Sequence, residues 1–226
     1  MKIPDLHPWD LTPKEAIRIQ EALREKLVFR PPKKPIRLLA AGDVSYNLGD
    51  EINFGAFLLF RFPDLILLEK AWTMEKISFP YIPGLLTFRE APILLKAFSQ
   101  LSQKPDLLLL DGQGIAHPRS MGIAAHLGLL LNLPAIGCAK SRLCGLYEEP
   151  GWEKGSTAPL KDHGKTIGTA VRTRTGIKPV FVSPGHKMDL STSTEVVLAL
   201  CRTYRLPEPL RQAHVFVNRL RAEHKV

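Results

Sequence analysis

The chain has 226 residues, a length typical of one large domain or two small ones, and it can bury a core without disulfides or structural metals. Hydrophobic residues make up 45% and charged residues 23% of it, which excludes global disorder and fibrous architectures. The 31 Lys+Arg residues outnumber the 22 Asp+Glu residues, so the formal net charge is +9 at pH 7. This excess favours a polyanionic partner, although a basic surface without such a partner has the same composition.

Cysteine usage and the N-terminus predict a protein of the reducing cytoplasm. Cys138, Cys144 and Cys201 show no metal-ligand spacing and no disulfide framework, so we expect buried thiols at least at Cys138 and Cys201. The first residues soon reach a charged helix and do not resemble a secretory signal. No apolar run approaches the ~18 residues that suggest a membrane span, and we expect no membrane partner.

The first predicted elements are a helix and three strands. Thr12, Pro13 and Glu15 form a capping pattern before an amphipathic helix, which we expect over 12–30, packed on the rest of the chain. The apolar runs 36–42, 54–60 and 65–72 then predict three strands with short links, an antiparallel meander.

Helices and strands alternate after the meander. A helix is predicted over 90–98, and Pro92 must lie in its first turn. The later predicted elements are strands at 106–110, 134–139, 166–172 and 179–183, and helices at 121–131, 196–201 and 210–221. A capping box at 192–195 precedes the second of these helices, and the segment 145–165 is expected to be a surface excursion. The whole chain, 1–226, is therefore predicted to be one α/β domain with a ribonuclease H-like mixed central sheet flanked by helices.

Asp43 and Asp111 each end an apolar strand, which is where the sites of α/β sheets gather. If the two strands are neighbours, the carboxylates converge and repel each other, and Mg²⁺ relieves that repulsion. The alternative is that each aspartate caps a turn or a helix, but two acids at matching strand ends in a basic protein favour the metal site. Glu90, at the start of a predicted helix, is explained by the helix dipole alone, worth about 0.3–1 kcal/mol, unless it is a third acid near the metal.

The segment 111–119, DGQGIAHPR, is the densest in glycine and polar groups. Its glycines permit close approach of a ligand, and its backbone could read the edge of a base. It is not a phosphate-binding loop, because the Gly-Lys-Ser/Thr ending is absent. An ordinary glycine turn fits the spacing equally well, and His117 either bonds a ligand or satisfies a backbone carbonyl.

Three further candidates each have two interpretations. Lys140 ends a buried strand and either contacts a phosphate or extends to solvent. The loop 80–84, PYIPG, is either a rigid wedge that takes over stacking from an extruded nucleotide or a packed turn. His214, on the last helix, faces either the core or the two aspartates, where it could position water or protonate a leaving oxygen.

Together these motifs resemble the endonuclease V family of deoxyinosine 3′ endonucleases, over about residues 35–221. The segments that carry the resemblance are DVSY at 43–46, PYIPGLLTFRE at 80–90, DGQGIAHPR at 111–119, residues 137–141 with Lys140, SPGH at 183–186 and residues 205–218. Their order along the chain is more specific than any single motif. Cys138 stands where valine is more often expected, a conservative departure that concerns only local packing.

The resemblance implies a Mg²⁺-dependent DNA-repair endonuclease, for which Mn²⁺ can substitute, that cleaves the second phosphodiester bond 3′ to deoxyinosine and leaves a 3′-OH and a 5′-phosphate. The catalytic residues it implies are Asp43, Glu90, Asp111, Lys140 and His214, with Asp43 and Asp111 as metal ligands. The implied DNA-binding wedge is Pro80, Tyr81, Ile82 and Pro83. The implied base pocket is Gly84, Leu86, Gly112, Gly114, His117 and Ile123.

The expected partner is DNA that contains deoxyinosine or another deaminated base, bound by a monomer. A ribonuclease for inosine-containing RNA is the alternative, because ribose discrimination depends on 2′-OH contacts that the motifs do not specify. A binding module without catalysis would also keep a basic surface and a pocket. Asp43, Glu90 and Asp111 together argue against that module.

Overall fold

Residues 6–47, 49 and 51–224 are described by the computed structural model of the chain. The prediction that the N-terminus is not a secretory signal depends in part on residues 1–5, which lie outside the described residues. None of the helices in the described part is both long and apolar enough to cross a membrane.

After an initial helix and a three-strand meander, two helices alternate with two strands, and three further strands and two helices complete the chain. The helices are α1 (Pro13–Arg24), α2 (Leu86–Ser99), α3 (Ile123–Leu131), α4 (Leu190–Leu200) and α5 (Glu208–Glu223). The strands are β1 (Leu38–Ser45), β2 (Ile52–Arg61), β3 (Ile66–Lys76), β4 (Leu107–Leu110), β5 (Ala135–Ala139), β6 (Thr157–Asp162), β7 (Lys165–Val171) and β8 (Val180–Pro184). Helix α1 is thus shorter than the helix predicted over 12–30.

The strands form one mixed sheet in the order β3-β2-β1-β4-β5-β8-β7-β6. The predicted meander is confirmed, because β2 pairs antiparallel with both β1 and β3. The central strands β1, β4 and β5 are parallel neighbours, and the pairings from β5 through β8 and β7 to β6 are antiparallel. The arrangement confirms the predicted ribonuclease H-like sheet with flanking helices.

Each face of the sheet carries its own apolar layer, because successive residues of a strand point to opposite faces. Leu39 and Ala41 of β1 pack in the layer that α4 and α5 cover, whereas Ala40 faces the layer that α2 and α3 cover. Helix α1 lies outside this second layer, where Ala16 packs near α2 and Leu23 packs near α3. The helices therefore cover both faces of the central strands, and every residue of β4 and β5 is buried.

Helix α2 begins at Leu86, four residues before the predicted start, and this corrects two expectations. Pro92 lies inside the helix rather than in its first turn. Glu90 lies in the second turn, so the helix dipole no longer explains the presence of this acid. Most of α2 is buried against the sheet, and this burial outweighs the backbone hydrogen bond that Pro92 cannot donate.

The two predicted capping boxes have different outcomes. The first is confirmed, because the Thr12 N–H donates to Glu15 Oε2 at 2.7 Å and the Glu15 N–H donates to Thr12 Oγ1 at 3.4 Å. The box predicted at 192–195 is wrong. Asp189 caps α4 instead and accepts the Thr192 N–H at 2.8 Å, so Thr192 is already helical.

Strand β6 lies within 145–165, the segment expected to be a surface excursion, and it was not predicted. Ala158 and Leu160 are buried while their neighbours are largely exposed, which is the alternation of a strand with one covered face. Pro159 is tolerated because β6 is at the edge of the sheet, where an N–H donor is dispensable. The glycine, proline and charged residues around this short alternation are typical of a loop, so the sequence pattern did not indicate a strand.

The cysteines are free thiols, and Cys138 and Cys201 are buried, as predicted. Burial raises the pKa of both thiols. They therefore stay protonated and unreactive at neutral pH. Cys138 packs in the apolar layer under α4 and α5, a position where a small apolar side chain suffices.

Candidate active site

Two parallel central strands bring Asp43 and Asp111 to the same place. Strand β1 continues through Asp43 to Ser45, so this aspartate lies within the strand rather than at its end as predicted, whereas Asp111 directly follows β4. Gly42 of β1 pairs with Leu110 of β4, and the residue that follows each of them in the chain is an aspartate. The two carboxylates therefore converge because of strand register.

His214 of α5 forms a cluster with these two aspartates. One ligand atom from each of the three side chains lies within 4.8 Å of the other two. His214 Nδ1 is 2.8 Å from Asp43 Oδ2, and the Asn218 amide nitrogen is 3.2 Å from His214 Nε2. These two contacts hold the imidazole ring between Asp43 and Asn218. His214 thus faces the aspartates and not the core.

Lys140 follows β5 and forms an ion pair with Asp111. Its Nζ is 2.6 Å from Asp111 Oδ2, and its side chain stays partly exposed. Arg205 fixes the backbone beneath it, because its Nη2 donates to the carbonyl oxygens of Lys140 and Pro179 at 2.5 and 2.7 Å. The ammonium group is therefore held at the edge of the acid cluster with an open side to solvent.

Glu90 is buried beside the cluster. The Tyr46 hydroxyl donates to Glu90 Oε1 at 3.2 Å, and the Arg89 guanidinium lies 4.3 Å from the centre of the Tyr46 ring. Burial raises the pKa of Glu90 to about 8, and the charges of Asp43 and Asp111 act in the same direction. The three predicted acids are therefore close enough to influence one another.

The donor set fits a divalent cation. Burial and the charge of Asp43 raise the pKa of Asp111, against the opposing effect of Lys140. Carboxylates crowded in this way repel one another unless a cation is shared between them. Carboxylate oxygens suit hard cations such as Mg²⁺, and an imidazole suits transition-metal ions. Asp43, Asp111 and His214 are the group of described residues that could hold such an ion.

A cavity of about 100 Å³ opens between the loop 80–84 and the segment 111–123. The residues lining it are Tyr81, Ile82, Pro83, Gly84, Leu86, Thr87, Gln113, His117, Gly122, Ile123 and Leu143. Four predicted pocket residues are therefore brought together. Tyr81, Ile82 and Pro83 of the predicted wedge border the same cavity, whereas Pro80 does not line it. Tyr81 is 54% exposed, Pro80 and Pro83 are at the surface, and Ile82 is partly buried next to α1.

Gly112 and Gly114, expected in the base pocket, are not among the described residues that line this cavity. The Gly114 N–H donates to Ser183 Oγ at 2.8 Å, and its carbonyl oxygen accepts the Gly122 N–H at 2.9 Å. A Cβ on Gly114 would lie 2.1 Å from the Pro184 carbonyl oxygen. This glycine thus lets the loop pack directly on the sheet, and its backbone groups are engaged there.

His117 lines the cavity with both ring nitrogens engaged. Its Nε2 is 2.9 Å from the Gly84 carbonyl oxygen and therefore carries the proton, and its Nδ1 accepts the Arg119 N–H at 3.1 Å. Burial lowers the pKa of His117 to about 4, so the ring is neutral at pH 7. Of the two interpretations, the structure supports the histidine that satisfies a backbone carbonyl.

Three polar residues of these networks were not predicted. Tyr46 stands in the DVSY motif but was given no role. Asn218 lies one helical turn after His214, and this i,i+4 spacing is the signal that could have found it. Gln20 is fully buried four residues after Ala16, and a polar residue in the buried stripe of α1 is again a readable signal.

The sheet and the carboxylates on its two central strands define a class, the ribonuclease H-like phosphodiester hydrolases. The family model described as Endonuclease V matches residues 21–215. Endonuclease V of Myxococcus xanthus is 48% identical over 219 residues, which cover 96% of this chain and 93% of that protein. The chain therefore belongs to the endonuclease V family of deoxyinosine 3′ endonucleases, DNA-repair enzymes, as the motifs predicted.

Solved structures agree with this assignment. Endonuclease V of Bacillus subtilis superimposes with a TM-score of 0.93 at 31% identity, over 99% of this chain and 98% of that one. Endonuclease V of Ciona intestinalis, solved with a 24mer DNA containing an inosine followed by a ribo-adenosine, gives a TM-score of 0.83 at 27% identity, over 94% and 98% of the two chains. The similarity thus extends over nearly the whole length of each protein.

Proposed function

We propose that this protein uses Mg²⁺ to cleave the second phosphodiester bond 3′ to deoxyinosine in DNA and leaves a 3′-OH and a 5′-phosphate. The observation that carries the proposal is the convergence of Asp43, Asp111 and His214 within 4.8 Å. A cavity bordered by the exposed loop 80–84 lies along the segment that Asp111 opens. Family membership supports the reaction, and the inosine-containing DNA bound by the C. intestinalis relative supports the substrate.

Asp43 and Asp111 are the proposed metal ligands, with Mg²⁺ as the ion and Mn²⁺ as its substitute. Mg²⁺ typically takes one or two protein carboxylates and keeps water and substrate phosphate as its other ligands. When bound, the ion would polarise a phosphoryl oxygen and stabilise the leaving 3′ oxygen.

The remaining polar residues have roles in charge and proton transfer. Lys140, held at the edge of the cluster by Asp111, offsets negative charge that develops on the phosphate. His214 is oriented by its hydrogen bonds to Asp43 and Asn218, so it can position water or protonate the leaving oxygen. Glu90, buried beside them, orients the attacking water. These roles account for all five predicted catalytic residues.

The cavity takes the base after it has left the duplex. Tyr81 and its neighbouring prolines form the wedge that replaces the base in the stack. Hypoxanthine offers an O6 acceptor and an N1–H donor. The first backbone N–H groups of a helix have no acceptor within that helix. Helix α2 begins at Leu86 in the cavity wall, so its first N–H groups can donate to O6 of the base. Adenine reverses both groups and would leave buried partners unpaired, at about 1–3 kcal/mol each.

Inosine-containing RNA is the second candidate substrate. The observation that favours it is the ribo-adenosine that follows the inosine in the nucleic acid bound by the C. intestinalis relative. We propose DNA as the cellular substrate of a cytoplasmic monomer, with the +9 charge supplying sequence-independent contacts to the phosphate backbone.

The test is cleavage of a matched pair of DNA and RNA duplexes that carry one inosine, with mapped product ends, in the presence and absence of Mg²⁺. We expect Mg²⁺-dependent nicking of the DNA at the second phosphodiester 3′ to inosine. A strong preference for the RNA would establish the second candidate. Cleavage that ignores inosine in both duplexes would contradict the proposed function.

A further inference from the structure

A fully buried glutamine on α1 contacts the walls of the base cavity. Gln20 is 0% exposed. Its Nε2 donates to two backbone carbonyl oxygens, that of Gly84 at 3.1 Å and that of Met121 at 3.2 Å. Its Oε1 accepts a hydrogen bond from Arg119 Nε at 2.6 Å. Both N–H groups and the oxygen of this amide are therefore engaged.

The two carbonyl groups belong to opposite sides of the cavity. Gly84 ends the wedge loop, two residues before Leu86. Met121 directly precedes Gly122 and Ile123, which line the cavity from the α3 side. One side chain from the N-terminal helix therefore joins the wedge side of the cavity to the α3 side.

The Gly84–Leu85 peptide is held at both ends. Three donors converge on the Gly84 carbonyl oxygen: Gln20 Nε2, His117 Nε2 at 2.9 Å and Arg119 Nη2 at 2.6 Å. The Leu85 N–H of the same peptide donates to the Ile82 carbonyl oxygen at 2.9 Å. Gly84 has a φ of +79°, a conformation that L side chains rarely adopt. The peptide that leads into α2 is thus fixed by three donors from two separate segments, α1 and the segment 111–119.

We infer that Gln20 is a positioning residue for base discrimination, a brace that sets the separation of the two cavity walls. The inference rests on the proposed function, because it assumes that the cavity reads the base. Packing alone does not explain a polar residue here, since an apolar side chain at this position in α1 would dock the helix without costly amide burial. The amide is satisfied only because both walls supply carbonyl groups, so a shift of either wall breaks a buried hydrogen bond.

The test variant is Gln20→Met, which keeps the length of the side chain and a good helix former but removes all three hydrogen bonds. The measurement is kcat/KM for nicking of two DNA duplexes that differ only in inosine or guanine at one position. We expect the inosine-to-guanine ratio to fall about tenfold or more, because loosened walls no longer penalise the wrong base. Gln20→Glu keeps the acceptor for Arg119 but donates to neither carbonyl. We expect it to lower the inosine-to-guanine ratio of kcat/KM to a similar extent.

Leu23→Ala is the matched control. Leu23 is buried on the same helix, and its truncation loosens the docking of α1 without removing a hydrogen bond of the brace. We expect it to lower the melting temperature and to keep the inosine-to-guanine ratio. If Gln20→Met fails to fold, Arg119→Lys tests the same brace from its partly exposed side and should lower the ratio.

The outcomes separate the brace from the proposed function. A folded Gln20→Met variant with the wild-type ratio would overturn the brace, and so would a Leu23→Ala variant that loses the ratio equally. Retention of the ratio by Gln20→Glu would also overturn it, because the donated hydrogen bonds would then be dispensable. If the wild-type protein cleaved the inosine and guanine duplexes with nearly equal kcat/KM, recognition of the base by the cavity would be contradicted, and with it the proposed function.

Discussion

The acid cluster and the base cavity are built in different ways. Asp43 and Asp111 are placed by backbone register between two parallel strands, with apolar layers on both faces of the sheet. The cavity instead lies between a loop, a glycine-rich segment and the start of a helix, and side chains such as Gln20 and His117 hold its walls. We therefore propose that the chemistry depends on the sheet, whereas selectivity depends on the polar braces. Substitutions in the first region should change rate, and substitutions in the second should change discrimination.

The largest expected effect is loss of cleavage on neutralising either aspartate. Asp43→Asn and Asp111→Asn should each lower kcat roughly 10²–10³-fold or more, because a carboxylate proposed to bind the metal is lost. Binding of an inosine duplex, measured by fluorescence anisotropy, should remain, because neither aspartate lines the cavity. Asp64→Asn, an exposed acid paired with Arg61, is the charge-matched control and should cleave like the wild type. Rapid cleavage by either site variant would remove the distinction between the two regions.

A smaller effect is expected at the wedge. Tyr81→Ala should weaken cleavage of inosine in duplex DNA by about tenfold, because a stacking aromatic is worth roughly 1–3 kcal/mol per base. The loss in single-stranded DNA should be smaller, since that base is not held in a duplex stack. Trp152→Ala, at another exposed aromatic residue, should leave both substrates unaffected. If Tyr81→Ala lowered cleavage of duplex and single-stranded DNA equally, strand separation would be excluded as the role of the loop.

The smallest expected effect is a change in the pH dependence of stability that arises from two buried histidines, His117 in the cavity wall and His126 in α3. Burial lowers the pKa of His126 to about 3 and that of His117 to about 4. Each is neutral in the fold but takes up a proton on unfolding below its usual pKa of about 6.5. Stability is therefore fully present above about pH 6.5 and falls with decreasing pH, by up to about 1.4 kcal/mol per pH unit for each group.

Urea unfolding between pH 7 and 5, without added metal, measures this dependence. His126→Gln should remove the contribution of one histidine from the dependence of the unfolding free energy on pH, a change of up to about 1.4 kcal/mol per pH unit. His163→Gln, at an exposed turn, should leave the slope unchanged. An unchanged slope in His126→Gln would show that this buried histidine does not resist protonation.

The sequence predicted the acid site better than the cavity, for a physical reason. Strand apolarity and the positions of Asp43 and Asp111 are local signals, and parallel pairing converts them directly into proximity. The braces around Gly84 join residues far apart in the chain, and their hydrogen bonds to backbone carbonyls leave no local periodicity. The same limit explains the helix start at Leu86, where burial against the sheet overrides the local penalty of a proline.

The central claim is that Asp43 and Asp111 share one metal ion, and Mn²⁺ binding tests it most directly. Titration of the wild type, Asp43→Asn and Asp111→Asn with Mn²⁺, followed by electron paramagnetic resonance, reports affinity without depending on cleavage. We predict that each substitution lowers Mn²⁺ affinity by at least about 10–100-fold, whereas Asp64→Asn leaves it unchanged. Wild-type Mn²⁺ affinity in either site variant would contradict the account.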